Sequence, residues 1–135
     1  IDNSYINEII DIVKSNNISG IIVSNTTNIN REKLLSEMKS EKGGLSGEPL
    51  QEISTNMIRK FYKELKQDIP IIGVGGVDSG KSAYEKILAG ASLIQLYTGF
   101  VYKGPSLAKN IKKELIHILK SEGIKNIREV IGKAN

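Results

Sequence analysis

Glycines that follow two short apolar runs are the residues whose spacing most clearly suggests binding chemistry in this chain. Gly75 and Gly76 follow the aliphatic run 71–74, and Gly99 follows the run 93–98, which ends in Tyr97 and Thr98. Glycine has no Cβ, so its backbone N–H can approach an anion directly, and a following helix N-terminus adds a favourable dipole. The pattern predicts a phosphate site, although Gly75 and Gly76 also fit a tight strand-to-helix turn.

Polar side chains follow another aliphatic run, residues 20–24. Asn25 and Thr26 come directly after it, where the carboxyl end of a parallel strand commonly meets a ligand. The amide of asparagine suits an amide or carboxylate ligand, and threonine adds a hydroxyl. The same residues also fit a local Asx or ST turn that only ends the strand, so both interpretations stay open.

Hydrophobic periodicity places these segments in an alternating series of helices and strands. It predicts helices over 4–16, 51–66, 105–120 and in short segments 31–39 and 127–131, with strands over 20–24, 71–74 and 93–96. A further helix is capped by Asp78 or Ser79 and ends at Gly90. This order is typical of parallel βαβ units, and the long polar connection 25–50 is expected to be functional.

Two adjacent strand-glycine units near the C-terminus favour the seventh and eighth strands of a (β/α)8 barrel. Three strands cannot close a barrel, and the chain begins at Ile1 and not at Met. We therefore expect a C-terminal segment whose N-terminal part is missing.

Composition limits the partners and the chemistry. With 39% hydrophobic and 25% charged residues, the chain is typical of a globular protein. Its net charge of +4 is spread along predicted helical faces without tryptophan, which favours solvated surface over nucleic-acid binding. No run reaches the ~18 apolar residues that span a bilayer, so membrane contact is expected from missing residues or a surface patch.

The residue types that the chain lacks exclude several chemistries within it. There is no cysteine, hence no disulfide, thiolate metal site or cysteine nucleophile, and no metal-ligand spacing is present. The one histidine, His117, lies in a predicted helix far from any strand end. A structural or surface role is expected for it.

Five short motifs resemble the class 2, quinone-linked dihydroorotate dehydrogenases. They are Ser24-Asn25-Thr26-Thr27, Gly43-Gly44-Leu45-Ser46-Gly47 with Pro49-Leu50, the segment 70–76, Ala89-Gly90-Ala91-Ser92 and Gln95-Leu96-Tyr97-Thr98. Their order and spacing are those of the family, and the resemblance extends over essentially the whole chain. The resemblance implies an α/β fold, an FMN-containing (β/α)8 TIM barrel, with residues 1–135 supplying its sixth, seventh and eighth strands.

The resemblance also implies roles for seven residues. FMN would be bound by Ser24, Gly47, Gly76, Tyr97 and Thr98, the last three chiefly around its phosphate. Asn25 and Thr26 would hydrogen-bond the ring and carboxylate of dihydroorotate or orotate. Tyr97 is also a candidate for the quinone tunnel, while Phe100 and Val101 fit either its apolar wall or ordinary packing.

The implied reaction is oxidation of dihydroorotate to orotate in pyrimidine biosynthesis. A base takes the C5 proton while hydride passes from C6 to flavin N5, and a quinone reoxidises the flavin. The resemblance places the base, a serine, and a supporting lysine upstream of Ile1, so no catalytic residue is expected here and the segment alone is expected to be inactive. It implies association with a bacterial cytoplasmic or inner mitochondrial membrane, through missing N-terminal residues.

Two alternatives remain open from the sequence. One is another FMN-dependent (β/α)8 oxidoreductase, and the other is a non-enzymatic phosphate-binding α/β module that folds alone. Among related barrels, inosine monophosphate dehydrogenases need a cysteine that the loop 25–47 lacks. In 2-hydroxy acid oxidases a catalytic histidine stands where this chain has Thr26.

Overall fold

The computed structural model describes residues 3–29, 31, 32 and 34–135, in which helices and strands alternate. The elements are α1 (Asn3–Ser15), β1 (Ile21–Val23), α2 (Gln51–Leu65), β2 (Ile71–Val74), α3 (Gly80–Leu88), β3 (Leu93–Gln95), α4 (Thr98–Lys103) and α5 (Leu107–Ser121). Short 3-10 turns occur at Glu37–Ser40, Glu48–Leu50 and Ile127–Val130. The predicted series of βαβ units is confirmed.

The three strands form one parallel sheet in the order β1-β2-β3. Ile21 pairs with Ile71, and Ile72 pairs with Leu93. Because all three strands run in the same direction, their carboxyl ends lie at one edge of the sheet. The polar and glycine residues that follow each strand are thereby brought together at that edge.

The core lies between the sheet and the helices. Ile58 and Leu65 of α2 are fully buried with Ile71 of β2, and Ile6 and Ile10 of α1 join the same cluster. A second cluster joins α3 to α5, and a third surrounds Val130 in the last 3-10 turn. Apolar side chains at helical spacing therefore attach every long helix to its neighbours.

The opposite face of the sheet is open in the described part of the chain. Successive side chains of a strand point to opposite faces. Val23 and Ile71 are buried, whereas Ile22 is 60% exposed and Leu93 is 61% exposed. Helices thus cover one face of the sheet, and apolar side chains remain uncovered on the other.

One local prediction was wrong, and one helix was not predicted. The expected helix over 31–39 is only the 3-10 turn Glu37–Ser40 among the described residues, while Lys33 lies outside them. None of the four residues in this turn is buried, so no apolar face stabilises a longer helix. The junction after β3 contains the six-residue helix α4, which was not predicted because it is too short to show helical periodicity in the sequence.

The predicted cap of α3 is confirmed at Ser79. Its Oγ accepts a hydrogen bond of 3.2 Å from the N–H of Ser82, and Ser82 Oγ accepts one of 3.1 Å from the N–H of Ser79. The N–H of Asp78 also donates to Ser82 Oγ, at 3.0 Å. This reciprocal arrangement fixes the turn that leads from Gly76 into α3.

Candidate functional site

A cavity of about 580 Å³ lies at the carboxyl ends of the three strands. It is built from the ends of β1, β2 and β3 and from the segment that precedes α2. All seven residues to which the sequence assigned binding roles line it: Ser24, Asn25, Thr26, Gly47, Gly76, Tyr97 and Thr98. Residues from four distant segments of the chain are therefore brought to one place.

The end of β1 presents polar groups to this cavity. The Val23–Ser24 peptide bond is cis, and the N–H of Ser24 donates to the carbonyl of Val74 at 3.3 Å. Asn25 Oδ1 accepts a hydrogen bond of 2.8 Å from the N–H of Thr26. A local ST turn does occur, but at Thr27, whose Oγ1 accepts from the N–H of Ile29 at 3.3 Å.

The glycine-rich segment 43–47 crosses from the end of β1 to the start of α4. Leu45 and Thr27 exchange two backbone hydrogen bonds, with N···O distances of 2.7 and 3.1 Å. A Cβ on Gly44 would lie 1.8 Å from Thr26 Oγ1, so only glycine fits against that side chain. At the other end, Thr98 Oγ1 lies 3.0 Å from Ser46 Oγ.

The backbone after β2 approaches the first residue of α2 closely. Gly75 and Gly76 have φ angles of +115° and +70°, which glycine adopts without strain. A Cβ on Gly76 would lie 2.7 Å from the backbone nitrogen of Gln51. The absence of side chains at these two positions is therefore required by both the backbone conformation and the available space.

The cavity lining is electrically neutral. Among the described residues, it contains no carboxylate, histidine or lysine; its polar groups are hydroxyls, amides and the backbone. His117 is exposed on α5, which confirms its expected surface position. This arrangement can bind an anion through N–H groups and can orient a polar ring. None of the described residues that line the cavity is a carboxylate, histidine or lysine that could accept a proton from a ligand.

One buried charge lies behind the cavity. Lys86 of α3 is fully buried, and its Nζ donates to Ser54 Oγ at 2.5 Å, to Thr55 Oγ1 at 3.0 Å and to the carbonyl of Gln51 at 3.3 Å. Burial lowers the pKa of Lys86 to about 8, and the nearby charge of Glu85 opposes this shift. The ammonium thus approaches the first turn of α2 from the side of the core.

An ion pair attaches α4 to the turn after β2. Lys103 Nζ lies 2.7 Å from Asp78 Oδ2 and donates to the Asp78 carbonyl at 3.1 Å. The hydrogen bond from Lys103 lowers the pKa of the Asp78 carboxyl, against a smaller desolvation effect. This exposed pair connects the end of α4 with the turn after β2.

The sequence reasoning missed several residues of this region. Ser46 and Gln95 line the cavity but stand beside more conspicuous motif residues. Lys86 resembles an ordinary solvated helix residue in sequence. Its spacing of three from Ala83, on the buried stripe of α3, was the available indication that it faces the core.

Comparisons with known proteins agree with this geometry. The family model of dihydroorotate dehydrogenase matches residues 1–119. A dihydroorotate dehydrogenase (quinone) of Trichodesmium erythraeum is 46% identical over all of this chain, and the mitochondrial one of Arabidopsis thaliana is 51% identical over 85% of it. The crystal structure of the Eimeria tenella dihydroorotate dehydrogenase with ferulenol superposes on 98% of the chain, with a TM-score of 0.92 and 41% identity.

These matches cover only part of each relative. The chain spans 38% of the length of the Trichodesmium protein, 25% of the Arabidopsis protein and 35% of the Eimeria chain. Its three-stranded parallel sheet is accordingly part of an α/β TIM barrel. In sequence and in fold, this chain belongs to the dihydroorotate dehydrogenase family.

Proposed function

We propose that this chain is the C-terminal part of an FMN-dependent, class 2 dihydroorotate dehydrogenase and forms strands six to eight of its barrel. The complete enzyme oxidises dihydroorotate to orotate with a quinone as electron acceptor, a step of pyrimidine biosynthesis. The observation that carries this proposal is the convergence of all seven motif residues on one cavity at the carboxyl ends of β1, β2 and β3.

The glycines of the cavity fit FMN, and Gly76 fits its phosphate. Gly47 and Gly76 both have positive φ, and a Cβ at either would lie 3.1 Å or less from a neighbouring atom. Bare backbone amides at such positions are well suited to phosphate oxygens. Gly47, Gly76, Tyr97, Thr98 and Ser24 would hold the cofactor, which supplies the hydride acceptor when it is bound.

Asn25 and Thr26 orient the substrate in this proposal. Because Asn25 Oδ1 accepts from the Thr26 N–H, the amide nitrogen of Asn25 is the group that can donate to a ring carbonyl or carboxylate. The Thr26 hydroxyl supplies a further polar contact. Holding the ring in one orientation lowers the entropic barrier to reaction, while the proton is taken by a base outside this chain.

The quinone and the rest of the barrel are proposed to lie on the exposed apolar side. Tyr97 is 79% exposed and Val101 is 65% exposed, and Phe100 and Tyr102 lie beside them on α4. This surface suits a quinone or the N-terminal part of the same barrel. None of the helices in the described residues is long and apolar enough to cross a membrane. Association with a bacterial or mitochondrial membrane is proposed to be made by N-terminal residues of the complete enzyme.

The two alternatives receive no support from a particular observation. A non-enzymatic phosphate-binding module would not require the Asn25 and Thr26 side chains in the cavity. A different FMN oxidoreductase is disfavoured by relatives that are 46% and 51% identical and carry the quinone-linked name.

The test uses the complete barrel, in which this chain is joined to the N-terminal part that its relatives possess. We expect bound flavin in the visible spectrum and orotate formation with decylubiquinone, and little with fumarate or NAD⁺. Absence of both flavin and orotate would overturn the proposal. Preference for fumarate or NAD⁺ would overturn its class 2 assignment.

A further inference from the structure

The buried ammonium of Lys86 is the charged group that the proposed function leaves unexplained. In the described part of the chain, its hydrogen-bond partners are three neutral oxygens, all from the first turn of α2. A buried charge without a carboxylate partner is unfavourable for folding, and an apolar side chain of similar length would avoid that cost. Packing alone therefore does not explain why a lysine occupies this position.

Ser54 links Lys86 to the glycine turn after β2. Ser54 is fully buried and has a single hydroxyl proton. Its oxygen accepts from Lys86 Nζ, and its proton lies within reach of two carbonyls, that of Gly75 at 3.2 Å and that of Gln51 at 3.4 Å; the shorter contact is the one to Gly75. The contacts Lys86–Ser54–Gly75 thus form a continuous hydrogen-bonded chain from the core to the back of the cavity.

This chain fixes the direction of a peptide group. In a trans peptide unit the C=O and the N–H point in opposite directions. Since the Gly75 carbonyl points towards Ser54, away from the cavity, the N–H of the same peptide, which belongs to Gly76, points the other way. Gly76 lines the cavity, so its N–H is presented where the proposed phosphate would lie.

Lys86 acts on the other neighbour of this turn as well. Its Nζ donates to the carbonyl of Gln51. The backbone nitrogen of Gln51 lies so close to Gly76 that a Cβ on Gly76 would not fit. The positive charge also lies behind a backbone turn that would receive an anion, which is electrostatically favourable. Both effects depend on one side chain.

We propose that Lys86 is a positioning residue for the phosphate of the flavin cofactor, acting through Ser54 to hold the Gly75–Gly76 peptide with its N–H towards the cavity. The inference rests on the proposed FMN-dependent function. Lys86 does not touch the cofactor in it, and it takes no part in proton or hydride transfer.

The test measures cofactor affinity in the complete barrel with FMN and with riboflavin, which lacks the phosphate. Lys86→Met keeps the length of the side chain and removes its charge and donors. Ser54→Ala keeps Lys86 and removes the hydroxyl that links it to the carbonyl of Gly75. We expect each variant to weaken FMN binding about tenfold, which corresponds to one lost hydrogen bond to a charged ligand, and to change riboflavin binding little. The double variant is expected to bind FMN no more weakly than either single variant does.

Thr55→Val is the matched control. It removes another hydroxyl contact of Lys86, at 3.0 Å, but leaves the link from Ser54 to Gly75 intact. The control is expected to lower Tm without changing the ratio of FMN to riboflavin affinity.

The outcomes separate this inference from the proposed function. A parent barrel that binds no FMN would overturn the proposed function and this inference with it. A parent that binds FMN, combined with an unchanged FMN-to-riboflavin ratio in Ser54→Ala and Lys86→Met, would overturn the role of Lys86 alone. Ser54→Ala decides the matter if Lys86→Met does not fold.

Discussion

At the scale of single residues, the two halves of the cavity are proposed to bind different ligands. The Asn25 half offers side chains that suit a polar ring, and the glycine half offers backbone amides that suit a phosphate. A substitution in one half should therefore affect one ligand and spare the other.

Asn25→Ala in the complete barrel is expected to raise KM for dihydroorotate and lower kcat, while FMN stays bound. Losing a substrate hydrogen bond should reduce kcat/KM by about tenfold or more, since the site keeps its cofactor but loses an orienting contact. Steady-state kinetics and the flavin spectrum measure the two effects. Asn28→Ala, in the same loop but outside the cavity lining, serves as the control. Loss of flavin from Asn25→Ala would contradict the assigned role.

Gly76→Ala tests the glycine half. Alanine at φ +70° costs about 1 kcal/mol or more, and its Cβ would also collide with the Gln51 backbone. Gly123→Ala has nearly the same φ, +69°, but nothing lies within 4 Å of its Cβ position. We expect Gly76→Ala to lose FMN and to lower Tm more than Gly123→Ala. Equal effects of the two changes on both measurements would argue against a specific role for Gly76.

The residue types explain which parts of the site were predictable. Gly76, Asn25 and Thr26 were singled out because they directly follow apolar runs, and the resemblance to the family favoured a binding role over a simple turn for each of them. Lys86 was missed because its importance comes from burial against α2, and a lysine on an amphipathic helix is normally solvated.

At the scale of elements, capping and apolar periodicity decide where each helix begins and ends. The start of α3 is set by Ser79, and the helix in turn holds both Lys86 and the Gly76 turn in place. Stability of this helix start is therefore connected to the geometry of the site.

Ser79→Ala is expected to destabilise the complete barrel by about 1 kcal/mol, because the N–H of Ser82 loses its acceptor. Ser106 occupies the same position before α5, but its side chain makes no capping hydrogen bond. Ser106→Ala should change the free energy of unfolding by less than about 0.5 kcal/mol. Chemical denaturation of the two variants measures the difference, and equal losses would show that the Ser79 cap does not matter.

The long helices were predictable because each carries a clear apolar period, and the three strands were predictable because each is a short aliphatic run. The helix α4 was not, since its residues Thr98–Lys103 show no full apolar period and its position depends on contacts such as Lys103 with Asp78. The helix predicted over 31–39 was too long, since only the turn Glu37–Ser40 forms and none of its residues is buried by packing.

At the scale of the whole molecule, the open face of the sheet is the dominant feature. Ile22 and Leu93 on that face are both about three-fifths exposed, and Tyr5 and Ile12 are similarly exposed on α1. Exposed apolar area of this kind marks a surface that is normally covered by other parts of a protein.

The 135-residue chain in isolation is therefore expected to bind the dye ANS and to elute as oligomers in size-exclusion chromatography. Joining it to the N-terminal part of the barrel should suppress both behaviours at equal protein concentration. A monomeric isolated chain that does not bind ANS would instead support a module that folds alone.

The paired strands are separated by unequal lengths of chain, which should affect the order in which they fold. The loop closed when Ile72 pairs with Leu93 is less than half as long as the loop closed when Ile21 pairs with Ile71. Because loop closure costs more entropy for longer loops, we expect β2 and β3 to pair before β1 joins them during refolding. Pulse-labelled hydrogen exchange on the complete barrel would detect this order, and simultaneous protection of all three strands would exclude it. In that sequence of events, the glycine half of the cavity would form as a folding intermediate before Asn25 and the half proposed to bind substrate arrive.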